Sequence, residues 1–129
     1  MVQVVSVAAG GALGALLRYL VSLLTTRTIA GEYPWATFIV NLLGAFIIGF
    51  LWGIFERSKV STHIKSFVLV GIIGSFTTFS TLSLDAFKLM QAGQTKLALT
   101  HLTVTNILGL ALVIGGYVLA QKINKLALA

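Results

Sequence analysis

Cysteine is absent, which excludes disulfides and thiolate metal sites. Charge is scarce: only 9% of the 129 residues are Asp, Glu, Lys or Arg, against about 25% in an average soluble domain. There are three acidic residues and two histidines, and His63 and His101 stand too far apart to act as a helical ligand pair. No P-loop, zinc-type motif or Ser/His/Asp constellation occurs, so the sequence supports no enzyme. The formal charge is +6. Most of the basic residues sit singly or in pairs between apolar runs, which argues against a nucleic-acid partner and for a membrane surface.

Apolar length is what the chain has in abundance. Hydrophobic residues make up 57% of it, more than a small domain in water could hide. Four runs approach the roughly 20 residues needed to cross a bilayer: about 2–24, 35–55, 64–89 and 97–120. A secretory signal would need a basic start, and Met1, Val2 and Gln3 supply no positive side chain. The sequence therefore predicts an all-α membrane protein, a single transmembrane domain of four helices over residues 1–129 with no soluble domain. Tyr33, Trp35, Trp52 and Tyr117 fit interfacial anchors.

Four spans put both termini on one side. That side carries five basic residues, Arg57, Lys59, Lys65, Lys122 and Lys125; the other carries three, Arg27, Lys88 and Lys96. The first side is weakly favoured as cytoplasmic, and so small a bias also suits a chain that inserts both ways round. Lipid gives helices no hydrophobic reason to associate, so small residues must allow close contact. Gly10 and Gly14 form one small-xxx-small pair, and Gly49 and Gly53 another. Four short helices leave little room for an aqueous path, and an oligomer is expected.

Polar groups at membrane depth are the candidate site. Arg18 lies ~9 Å inside the first run, either snorkelling to the headgroups or facing an anion. Asn41 enters the second run to a similar depth, as an anion donor or as an interhelical hydrogen bond. From Gly71 to Ser83, six hydroxyl residues and two glycines crowd an apolar segment. Such a run predicts a break that frees backbone groups at the midplane, where protein or an ion must satisfy them. In the fourth run Thr100, Thr103 and Asn106 recur at helical spacing, beside an i, i+4 pair of His101 and Thr105. The stripe reads as a lined pathway or as interhelical hydrogen bonding. Asp85, near the end of the third run, has Lys88 at i+3 as a local ion-pair partner.

With these pieces in order, the chain resembles the Fluc (CrcB) family of fluoride channels over nearly its whole length. The resemblance rests on Gly10–Tyr19 (Gly-Gly-Ala-Leu-Gly-Ala-Leu-Leu-Arg-Tyr), on Thr37–Gly44 (Thr-Phe-Ile-Val-Asn-Leu-Leu-Gly), and on Gly71–Ser83 with its Thr-Thr-Phe-Ser-Thr core. It implies a homodimer of two antiparallel copies with dual topology, in a bacterial plasma membrane, exporting cytoplasmic fluoride passively. It implies a structural Na⁺ at the dimer interface, held by main-chain carbonyls at positions matching Gly74 and Thr77. It implies two pores lined by Asn41, Phe79 and polar residues of the fourth helix, here Asn106 with Thr103 of the same stripe. Thr37, Ser80, Thr81 and Asp85 match a polar track beside the phenylalanines, and Arg18 joins the pathway by its depth.

Two positions depart from the family pattern. Leu82 stands where a second phenylalanine is usual, and Leu102 where a tyrosine often stands. Some members are heterodimers that divide the functional residues, so a partner-dependent or non-conducting subunit is the alternative suggested by Leu82. A small dual-topology exporter is a further alternative, but proton coupling normally needs a mid-membrane carboxylate, and the first helix has none.

Overall fold

The structure is a computed structural model and describes residues 1–127. Four helical spans account for nearly all of it: α1 (Val2–Thr28), α2 (Trp35–Phe55), a composite third span over Thr62–Gln91, and α6 (Thr95–Ala127). All four are long and apolar enough to cross a membrane. The third span comprises α3 (Thr62–Lys65), a π-helical stretch (Ser66–Ile73), α4 (Gly74–Phe76) and α5 (Phe79–Gln91).

The helices outrun the apolar segments, for local reasons. The hydroxyls of Thr25, Thr26 and Thr28 donate to the carbonyls of Val21, Ser22 and Leu24 at 2.7, 2.8 and 2.9 Å. These polar residues are thus satisfied inside α1. The C-terminal carbonyls of α2 are met by side chains: Lys65 Nζ donates to Phe55 at 2.8 Å and Asn124 Nδ2 to Gly53 at 3.0 Å. Beyond α5 the Gly93 N–H bonds Met90 and the Gln94 N–H bonds Leu89, at 3.0 and 2.8 Å. That pair is a Schellman closure, and it needs the left-handed conformation Gly93 adopts at φ 78°.

Backbone-close contact joins the helices in pairs. A Cβ on Gly10 would meet the Phe67 carbonyl, and one on Gly14 the Ile72 carbonyl, so α1 lies directly on the π-helical stretch. A Cβ on Gly49 would meet the Val113 carbonyl, and one on Gly116 the Phe46 carbonyl, which seats α2 on α6. Both glycine pairs read from the sequence are packing devices of this kind. Ala86, Leu89 and Ala98, with Leu97 and Leu102, close the contact between α5 and α6. Only 11–22% of the most apolar window of each span is buried within the chain, so most of the apolar surface is left for lipid or another protein surface.

Candidate functional site

The third span breaks at two residues. Thr77 (φ −77°, ψ 157°) and Thr78 (φ −152°, ψ 118°) are extended between α4 and α5. Asn41 of α2 spans the gap: its Oδ1 accepts from the Thr78 N–H at 2.8 Å, and its Nδ2 donates to the Thr78 carbonyl at 3.1 Å. Thr78 in turn caps α5, its Oγ1 accepting from the Thr81 N–H at 3.2 Å and lying 3.1 Å from both the Ser80 and Thr81 hydroxyls. Thr77 Oγ1 donates back to Ile73 at 3.1 Å.

These bonds determine which carbonyls are left over. In an unbroken helix the Gly74 carbonyl would accept from Thr78 N–H, and the Thr77 carbonyl from Thr81 N–H. Both donors are committed elsewhere, to Asn41 and to the Thr78 hydroxyl. Gly74 and Thr77 therefore lose their helical partners at the break. Among the described residues no group of three or more His, Asp or Glu could hold a metal. Oxygen donors of the main chain are what this site offers, and they suit a hard cation.

Two cavities flank Thr78. The larger, about 420 Å³, is lined by Asn41, Thr77, Thr78, Phe79, Leu82, Thr105 and Asn106 among others. Thr105 is 4% exposed and its hydroxyl has no partner among the described residues. Asn106 is exposed and donates to the Leu102 carbonyl at 2.7 Å, which leaves its second amide hydrogen free. Phe79 is 73% exposed, whereas Leu82 is 3% exposed and forms part of the wall. The smaller cavity, about 220 Å³, brings together Arg18, Ser22, Thr37, Thr78 and Thr81. The Arg18 Nε there is buried without a partner among the described residues. The buried Thr37 hydroxyl donates to Asp85 Oδ2 at 2.5 Å.

Most of the residues selected from sequence thus meet at the break. Asn41, Thr77, Phe79 and Asn106 share one cavity, and Arg18, Thr37 and Thr81 the other. Ser80 is exposed and touches the site through Thr78. Thr103 is exposed and lines neither cavity, and Gly74 is also exposed. The polar stripe of α6, Thr100, Thr103 and Asn106, turns outward, while the neighbouring pair His101 and Thr105 turns inward. Sequence reasoning missed Thr105 and Thr78 as lining residues. The inward pair at i, i+4 was the available signal for Thr105; nothing singled out Thr78 within its hydroxyl run.

The arrangement offers hydrogen-bond donors and an aromatic ring beside a helix break, without a carboxylate among the described residues lining either cavity. Such a lining can accept a small anion. Fold and site together define a four-span membrane protein with an interrupted third helix and polar side chains gathered at the interruption. The chain belongs to the family described as CrcB-like protein, Camphor Resistance (CrcB), whose profile matches residues 5–117. A relative from Parabacteroides distasonis is 39% identical over 95% of this chain and 96% of its own length. One from Magnetococcus marinus is 46% identical over 78% and 82%, and one from Aquifex aeolicus 36% identical over 93% and 98%. Each of these relatives is named as a fluoride-specific ion channel, FluC.

Proposed function

We propose that this chain is a fluoride-selective channel, not an enzyme, and that it lets cytoplasmic fluoride leave passively across the bacterial plasma membrane. The observation that carries the reading is the cavity at the break, where the unpartnered Thr105 hydroxyl, Asn106 and the exposed Phe79 ring stand around Asn41. It is supported by relatives that bear a fluoride-channel name over most of the chain. Fluoride is small and tightly hydrated, so a path must replace its water with donors. Amide and hydroxyl hydrogens do this, and the positive edge of Phe79 adds a contact. A membrane potential supplies about 2.3 kcal/mol per charge per 100 mV to drive export.

The working unit is an antiparallel homodimer with dual topology. Its support is the outward face of the site: Phe79, Thr103 and Asn106 are exposed in the single chain, and polar groups facing lipid at that depth are costly. A second copy would cover them. The freed carbonyls of Gly74 and Thr77 fit a structural Na⁺ shared by the two copies. Bound there, it would neutralise carbonyl charge and add positive charge near the anion path.

Leu82 favours a second reading, a subunit that needs a partner to supply the missing ring. Leucine has no positive edge, and here it forms buried cavity wall beside Phe79. Efflux from liposomes containing wild type, Leu82→Phe or Phe79→Ile separates the two. Selective flux from wild type, equal or faster flux from Leu82→Phe and little from Phe79→Ile is expected. Silence from wild type with flux restored by Leu82→Phe would establish the partner reading.

A further inference from the structure

The two cavities at the break have a single residue in common. Of the residues that line them, Thr78 alone belongs to both. On one side of it stand Arg18, Ser22, Thr37 and Thr81, and on the other Asn41, Phe79, Thr105 and Asn106. Its backbone is extended and held by the two bonds to Asn41, at 2.8 and 3.1 Å. The hydroxyl is the part left free to turn. A threonine hydroxyl changes place by rotation about one bond, from one staggered position to another.

That hydroxyl sits at a junction. It accepts from the Thr81 N–H at 3.2 Å and lies 3.1 Å from the Thr81 and Ser80 hydroxyls. Capping α5 uses only the oxygen, so its one proton remains available, with Thr81 Oγ1 placed to accept it. Accepting one hydrogen bond also polarises the O–H and strengthens it as a donor. The positive end of the 13-residue helix α5 falls at the same residue. On one side Arg18 brings positive charge, with a buried Nε that has no partner among the described residues. On the other side Thr105, buried and also without a partner among the described residues, brings a hydroxyl. Donors thus stand in both cavities, and the one donor they share is Thr78.

We propose that Thr78 is the transfer point between the two cavities: its hydroxyl gives up its bond to Thr81 and donates instead to a small anion, handing it from the Arg18 side to the Phe79 side. The proposal rests on the channel reading above and adds to it a residue that the anion must pass. A hydrogen bond to an anion is stronger than one to a neutral hydroxyl. A small, strongly accepting anion therefore competes well with Thr81 for the proton, and a larger halide competes poorly.

The test is efflux of fluoride from liposomes that hold the purified full chain. Thr78→Val keeps the shape and removes the proton, and flux should fall about tenfold or more, as the loss of one hydrogen bond to a charge implies. Thr78→Ser retains the hydroxyl and should conduct at least about fivefold faster than Thr78→Val. Thr78→Asp separates capping from donation, because aspartate caps a helix at least as well as threonine but has no proton to give. Hydrogen exchange should show its Thr81 amide still protected, while its flux stays lost. Wild-type flux from Thr78→Val, or from Thr78→Asp with the cap intact, would overturn the transfer role. Where one of these two variants does not assemble, the other decides against Thr78→Ser. Silence from wild type would sink the channel reading instead. Titration of the ¹⁵N-labelled chain with sodium fluoride and with sodium chloride then decides the proposal by itself. The Thr78 and Thr81 amide signals should move with fluoride alone; signals that ignore fluoride, or follow chloride equally, would overturn it.

Discussion

At the scale of single residues, Asn41 is the side chain on which the site turns. Its amide pairs with both backbone groups of Thr78, leaving one Nδ2 hydrogen over. Asn41→Asp keeps the acceptor for the Thr78 N–H but sets a second oxygen against the Thr78 carbonyl, and it adds negative charge on the proposed anion path. Fluoride efflux should fall at least tenfold, an effect of roughly 1.4 kcal/mol or more. Unchanged efflux from protein that still assembles would remove Asn41 from the path. Thr105→Val removes an unpartnered hydroxyl without altering shape much. It should leave folding intact and lower fluoride flux several-fold; wild-type flux would mean that the hydroxyl never meets the anion. Asn41 was legible in the sequence because an amide deep in an apolar run demands a partner. The identity of that partner was not legible, because Thr78 is one of six hydroxyl residues between Gly71 and Ser83.

At the scale of elements, the break in the third span was readable from its glycine and hydroxyl density. The π-helical stretch before it was not, because Phe67 to Val70 and Ile72 to Ile73 are plain apolar residues with no compositional mark. It lies where Gly10, Gly14 and Gly71 let α1 and this stretch approach backbone to backbone. A side chain at Gly14 would collide with the Ile72 carbonyl. Gly14→Val should therefore separate α1 from the third span, and the purified protein should lose its assembled state on size-exclusion chromatography. A variant that elutes and conducts like wild type would show the contact to be dispensable. The two polar groups of α6 stay distinct, as their spacing has it: Thr100, Thr103 and Asn106 face outward and the pair His101 and Thr105 inward. A single sequence carries the helical spacing, while the direction of each face depends on which neighbours pack there.

At the scale of the whole molecule, one chain leaves its polar site facing outward, with Phe79 73% exposed. The proposed antiparallel dimer would account for that exposure and for the five-to-three split of basic residues between the two sides. A single cysteine placed in an otherwise cysteine-free chain near the amino terminus should be labelled from both faces of the membrane. Labelling from one face only would rule out dual topology in a homodimer. The central claim, that this chain alone makes a path which strips and passes fluoride while excluding a larger halide, is tested most directly by efflux from liposomes holding only the purified chain. The account predicts that fluoride leaves on addition of a potassium ionophore while chloride loaded alongside it is retained. Retention of both anions, or loss of both together, would contradict it.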